Sequence, residues 1–271
     1  HDATVFSPYD NRSFLAKSRL KFMIHRTAAA ASAIVTDSDF SLAQLEHYVP
    51  HSRNKITRIW PGVSDIFLQA MDDNVLKNVL DRLPQNNSFL LYYGGYRSHK
   101  RVDLLLNAFA HVAPTYPYNL VLVGSTGASE PDLRSLCRKL HLEDRVIFFG
   151  YASDAELRAL LDQCTLFVFP SVVEGFGLPV MEAMTCGAPV VSSTGGSLPE
   201  IAGEAAIYFQ GESAEALAGA ILKTLADENL RNSLAQTGKR RSRQFRWSVT
   251  AQQLTELYAE VTQRQHFERA F

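Results

Sequence analysis

The sequence predicts an α/β protein built on a doubly wound, mostly parallel sheet. From residue 88 onward, six short β-branched or aromatic runs alternate with segments whose apolar residues recur at i, i+3 and i+4. Strand runs separated by helical patterns imply right-handed βαβ crossovers. Three further helical patterns close the chain.

In order, strands are expected at Phe89–Tyr93, Leu120–Val123, Val146–Phe149, Leu166–Phe169, Pro189–Ser192 and Ala206–Phe209. Helices are expected at Val102–Val112, Glu130–Leu140, Asp154–Leu161, Leu178–Thr185, Ala214–Ala226, Glu228–Phe245 and Ser248–Gln263. The first 60 residues differ. Leu15–Ala31 reads as a helix, Ala33–Thr36 as a strand, Ser38 as the cap of a helix through His47, and Ile56–Trp60 as another strand. Two strands cannot bury a sheet on both faces, so this stretch reads as the tail of a second α/β domain whose start is missing. The opening His1, in place of Met, reads the same way. Pro61-Gly62-Val63 followed by Asp72–Pro84 is expected to be a linker and hinge helix. Apolar surface on Leu15–Trp60, left by absent strands, predicts self-association.

The 271 residues are 46% apolar and 20% charged, and 27 Lys+Arg against 28 Asp+Glu leave a formal charge of −1. That balance gives no broad basic field, so nucleic acid is not an expected partner. Cys137, Cys164 and Cys186 stand singly, which fits neither a disulfide framework nor a CxxC metal site. A cytoplasmic chain, at most peripheral to the inner face of the membrane, is expected.

Three loops share one pattern, a strand end followed by small or polar residues and then a helix. Phe167 to Met184 carries Glu174, Gly175, Phe176, Gly177 and Leu178-Pro179, with Glu182 one turn into the helix. Ligands of doubly wound sheets bind beyond the strands' carboxyl ends, where helix N-terminal N–H groups meet phosphates or hydroxyls. Two carboxylates there suit a ribose diol and a sugar ring. The plainer alternative makes Glu174 a helix cap and Glu182 a solvated side chain. Tyr93 to Arg101 places Gly94 and Gly95 before Arg97, Lys100 and Arg101, cations suited to a diphosphate; a solvated basic turn is the plainer reading. Ser192 to Glu200 is a third candidate anion nest. No GxGxxG or Walker motif occurs. Asp37-Ser38-Asp39 imitates a DxD metal motif but stands at a helix start, where such residues are ordinary caps. No metal is expected. Lys239-Arg240-Arg241-Ser242-Arg243 suits a helix C-terminus or an anionic membrane.

Together these loops resemble the retaining nucleotide-sugar glycosyltransferases of the GT-B fold, family 4, and within it the mannosyltransferase-like group 1 branch. Glu174 and Glu182 match that family's E-x7-E element, followed by Gly187 to Val191 and Gly195 to Glu200; Gly94 to Lys100 looks like its phosphate turn, and His1-Asp2 resembles its first-domain pair. The resemblance implies a Rossmann-like donor domain at 63–246, a remnant of the acceptor-side domain at 1–62, and a helix at 247–271 returning to that domain. It also implies roles. Lys100 neutralises the donor diphosphate, Glu182 holds the ribose, and Glu174 with the backbone of Phe176 and Gly177 holds the sugar. Backbone after Val123 and Gly124 and around Gly150-Tyr151 frames the base, and His1 lies close to the transferred sugar. Many members carry an Arg where this chain has His99, so Arg97 or Arg101 is expected to substitute. The implied reaction is metal-independent hexosyl transfer with retention. The donor is a nucleoside diphosphate sugar, GDP-mannose or a UDP-sugar, and the acceptor is a glycan or lipid-linked glycan of polysaccharide biosynthesis. A non-catalytic or partner-dependent module, completed by a missing first-domain chain, is one alternative; a sugar-nucleotide epimerase is another.

Overall fold

The computed structural model describes residues 6, 13–84, 88–124 and 130–270, with the side chains of 265–270 outside the description. Two compact units emerge, one of residues 1–63, 174–176 and 244–271, the other of 64–173 and 177–243.

In the larger unit, strands β3 (Phe89–Tyr93), β4 (Asn119–Val123), β5 (Val146–Gly150), β6 (Leu166–Phe169), β7 (Val190–Ser193) and β8 (Ala206–Phe209) form one sheet ordered β5-β4-β3-β6-β7-β8. Every pairing is parallel. This is the α/β fold expected of the GT-B class. Helices α4 (Val102–Val112) and α9 (Ala214–Ala226) pack together, as do α3 (Asp73–Leu80) with α6 (Asp154–Gln163) and α7 (Leu178–Cys186) with α10 (Glu228–Ser242). Leu90, Leu91, Tyr92, Leu120, Val121, Leu122 and all of β6 are buried, as a sheet covered on both faces requires. Winding reverses between β3 and β6, so the loops leaving these two strands flank the topological switch point.

Strand edges move by a residue or two from the sequence pattern. Strand β7 begins at Val190 because Pro189 has no N–H to give the ladder, although its carbonyl still accepts from Phe167 N at 2.9 Å. Helix α10 ends at Ser242 rather than Phe245, whose ring is instead fully buried in the smaller unit. Helix α3, read as a hinge, starts from an Asp72 cap and packs on α6.

The smaller unit has a two-stranded parallel sheet of β1 (Ile34–Thr36) and β2 (Ile56–Arg58), joined through α2 (Asp39–Tyr48), with α1 (Phe14–Ala30) ahead of it. Ser13 and Ser38 cap α1 and α2 through their hydroxyls. Trp60 lies beyond β2, its ring 5.2 Å from that of Phe245 and stacked by the Arg58 guanidinium at 4.1 Å. Helix α11 (Trp247–Ala270) is held by Thr250, which donates to Trp60 O at 2.7 Å. Gly62 is obligatory here, since a Cβ would stand 2.1 Å from Trp247 N.

Candidate functional site

The loop after β3 begins at Gly94, whose φ of +145° suits glycine. Its N–H donates to Val123 O at 2.9 Å, and Gly124 N donates to Gly150 O at 3.0 Å. A Cβ on Gly124 would lie 2.2 Å from Gly94 O. The ends of β3, β4 and β5 are therefore tied backbone to backbone, with glycine required where they touch. Tyr151 follows Gly150 and is 80% exposed, an aromatic ring presented at the sheet's carboxyl edge. Residues 125–129, part of the expected base-framing loop, lie outside the described residues, as do His1 and Asp2.

Lys100 ends a 3-10 turn (Ser98–Lys100), its ammonium 5.2 Å from the centre of the Phe169 ring on β6. The two strands at the switch point thus meet through this pair. Arg101 takes the left-handed conformation (φ +51°) at the start of α4, and its guanidinium is held by Asp103 at 3.2 Å and by Glu212. Arg97 is exposed and forms no ion pair among the described residues.

Buried serines, which the sequence reading missed, join the loops. Ser171 Oγ donates to His99 O or Val173 O, both at 3.2 Å, and Val172 N donates to His99 O at 2.8 Å. Ser193 Oγ donates to Ser171 O and accepts from Gly195 N at 3.2 Å. The phosphate-turn candidate, the loop after β6 and the loop after β7 are so fixed by one chain of hydroxyls. The only trace in the sequence is a serine near two strand ends, Ser171 two residues past β6 and Ser193 closing β7.

Gly177, at φ +98°, occupies the cap position of α7, so the residue at that position is not Glu174. Leu178 and Pro179 form its first turn, and proline there has no N–H to leave unpaired. Glu182 is not a solvated side chain either: burial alone pushes its carboxyl from the ordinary 4.5 up to about 8. Near neutrality that carboxyl carries a proton, which lets it both donate to and accept from hydroxyls.

Glu174, Gly175 and Phe176 belong to the smaller unit. There Gly175 O accepts from Ser38 Oγ at 2.5 Å and Ser41 Oγ at 3.2 Å, and the Phe176 ring meets Phe245 edge-on at 5.8 Å. Asp39 pairs with Arg58 at 2.9 Å, so the DxD-like residues serve a helix start. Arg241 donates to the Glu200 and Ile201 carbonyls, and the Lys239 stem lies against Gly187, which makes part of that basic run a packing element.

Residues 81–241, more than half of the chain, match the family described as glycosyl transferases group 1. Over 265 residues the chain is 28% identical to the O-antigen chain mannosyltransferase B of Escherichia coli, covering 95% of this chain and 68% of that protein. It is 29% identical over 240 residues to the serotype-specific mannosyltransferase WbdA of the same organism, covering 86% of this chain but spanning only 29% of that one. Among solved structures, sucrose-phosphate synthase from Thermosynechococcus elongatus superposes with a TM-score of 0.83 at 25% identity, over 97% of this chain and 67% of that one. Anabaena HepE in complex with UDP and glucose gives 0.76 at 22%, over 89% and 67%. The chain belongs to the glycosyl transferases group 1 family.

Proposed function

We propose that this chain is the donor-binding and reacting part of a retaining, family 4 hexosyltransferase. Its donor is a nucleoside diphosphate sugar, with GDP-mannose as the first candidate, and its acceptor a glycan or lipid-linked glycan. The observation that carries the reading is the switch point itself, where Lys100 and the α7 N-terminus leave the two adjoining strands β3 and β6. A diphosphate placed there meets an ammonium and helix N–H groups, which stabilise charge as the glycosidic bond breaks. Arg97, rather than the doubly paired Arg101, supplies the second cation. Glu182 takes the ribose diol, Tyr151 stacks on the base, and Glu174 with Phe176 and Gly177 holds the hexose. The bond from the anomeric carbon to the diphosphate breaks, the acceptor oxygen bonds to the same face of that carbon, and its proton passes to the departing phosphate. The mannosyltransferase relatives favour mannose; the UDP-bound relative keeps uridine donors in the test.

Calorimetric titration with GDP, GDP-mannose, UDP and UDP-glucose decides the donor. One nucleotide series should bind, and Lys100→Ala should weaken it about 10–100-fold, the worth of a charge-assisted hydrogen bond. Glu174→Ala should abolish transfer while leaving diphosphate binding within about two-fold, because it touches only the sugar. Equal loss in both assays overturns this division of roles, and binding of no nucleotide moves a partner-dependent module ahead.

A further inference from the structure

Tyr92 lies beneath the turn that joins β3 to α4. It is fully buried, and its hydroxyl donates to Gly95 O at 3.0 Å. A buried hydroxyl must find a partner, and this one finds the carbonyl of a loop. The Tyr92 ring is 6.1 Å from that of Phe169, with 17° between their planes, and the Lys100 ammonium stands 5.2 Å from the same Phe169 ring. One buried side chain thus bears on both ends of the turn, on Gly95 through its hydroxyl and on Lys100 through Phe169.

The consequence lies in the backbone. A peptide unit is planar and trans, so its C=O and N–H point to opposite sides. With Gly95 O fixed on the Tyr92 hydroxyl, the N–H of Tyr96 is turned away from the buried ring. Among the described residues, the N–H groups of Gly95, Tyr96 and Arg97 donate to no acceptor, whereas those of Gly94 and Lys100 on either side donate to Val123 O and Arg97 O, both at 2.9 Å. A Cβ on Gly95 would meet nothing within 4 Å, so the turn borders open space at the same point. Consecutive donors beside open space, in a turn that ends on an ammonium, are complementary to an anion.

We propose that Tyr92 is a positioning residue for the donor diphosphate. Its hydroxyl aims the N–H groups of residues 95–97 at the phosphate oxygens, and its ring, through Phe169, sets the place of the Lys100 ammonium. The proposal rests on the reading of this sheet edge as the diphosphate site. Tyr92 itself lies behind the turn and touches no substrate. It acts through pre-organisation, since donors already aligned need no reordering as negative charge builds on the departing diphosphate.

Tyr92→Phe tests this, because it keeps the ring on Phe169 and removes only the bond to Gly95 O. Tyr208→Phe is the control. The Tyr208 hydroxyl donates to Gly203 O at 2.8 Å, the same kind of bond in the same unit, but on the edge strand β8. Both variants of the full chain should melt earlier by similar amounts. In calorimetric titration with GDP and UDP, Tyr92→Phe should weaken whichever diphosphate binds by about 10-fold, the worth of a charge-assisted hydrogen bond, and inorganic pyrophosphate competing for the site should weaken alike. Tyr208→Phe should leave both affinities within about two-fold, as expected of a distant site. The nucleoside of the same base, followed by saturation-transfer NMR, should bind Tyr92→Phe and the unaltered chain equally, because the turn meets only phosphate. Unchanged diphosphate affinity in Tyr92→Phe, or an equal loss for diphosphate and nucleoside, overturns the proposal and leaves the diphosphate site standing. An equal loss in Tyr208→Phe also overturns it, since the effect is then a general loosening. Failure of the unaltered chain to bind GDP, UDP or pyrophosphate overturns the site reading and the proposal with it. If Tyr92→Phe does not fold, the isotope-labelled unaltered chain decides: pyrophosphate should shift the amide resonances of Gly95, Tyr96 and Arg97 more than those of Gly94 and Lys100, and the reverse order overturns the proposal.

Discussion

The sheet of the larger unit and that of the smaller unit are both parallel and both crossed over by helices, yet they differ in how much they bury. Strands β3, β4, β6 and β7 run through a core in which whole stretches have no exposed surface. Strands β1 and β2 are three residues each, and only Thr36 of the six is buried. A deep core holds loops in fixed places, so residues far apart in sequence, such as His99, Ser171 and Ser193, can share hydrogen bonds at one edge. A shallow one leaves apolar groups outside, as on α1, and those groups look for another environment. A fixed loop edge and an open helix face thus fall to different parts of one chain.

The widest contrast is expected from truncation of each core. Phe167→Ala removes a fully buried ring and should cost about 3–5 kcal/mol, whereas Val49→Ala in the smaller unit should cost about 1–2 kcal/mol. Both tryptophans, Trp60 and Trp247, belong to the smaller unit, so urea unfolding read by fluorescence reports that unit while circular dichroism reports chiefly the larger. Equal shifts of the two midpoints would erase the difference between the cores.

Loop fixation can be sharpened within the larger unit alone. Gly124→Ala presses a methyl on the Gly94 carbonyl and should destabilise by about 1–3 kcal/mol. A Cβ on neighbouring Gly95 meets open space, so Gly95→Ala should stay within about 0.5 kcal/mol. A thermal melt that ranks them in the other order would show that the strand ends are not held by this contact.

A smaller, graded effect is expected from Glu182. Its carboxyl titrates at about 8 in the fold against an ordinary 4.5, so between these values the unfolded chain is ionised while the folded one keeps its proton. Unfolding then releases a proton, and stability falls as pH rises through that window, by at most about 1.4 kcal/mol per pH unit. Glu182→Gln lacks the fall. The advantage of the variant should therefore open above pH 4.5 and become constant above pH 8; a difference independent of pH would place Glu182 in contact with water.

Much of the site edge was legible because its signals are local. Gly94, Gly177 and Pro179 announce loops and a helix start by their own backbone limits, and Lys100 and Glu182 stand out as charged residues in the turn after β3 and one turn into α7. What stayed hidden depends on distant partners. Nothing near Arg101 in the chain says that Glu212 will take its guanidinium, and nothing near Gly175 says that Ser38 and Ser41 will bind its carbonyl. The E-x7-E spacing likewise gives no sign that Glu174 groups with the smaller unit while Glu182 sits in the larger.

The sequence by itself determined the alternation of strands and helices, the parallel sense of the sheet and the loops that follow its strands, since periodicity, glycine and proline act within a few residues. Tertiary structure alone decided that Asp103 and Glu212 take the Arg101 guanidinium, that Glu182 is buried enough to hold a proton, and that one side of α1 remains open. Each of these is set by what other parts of the chain bring within a few ångströms, and burial and pairing are properties of that company rather than of the residue.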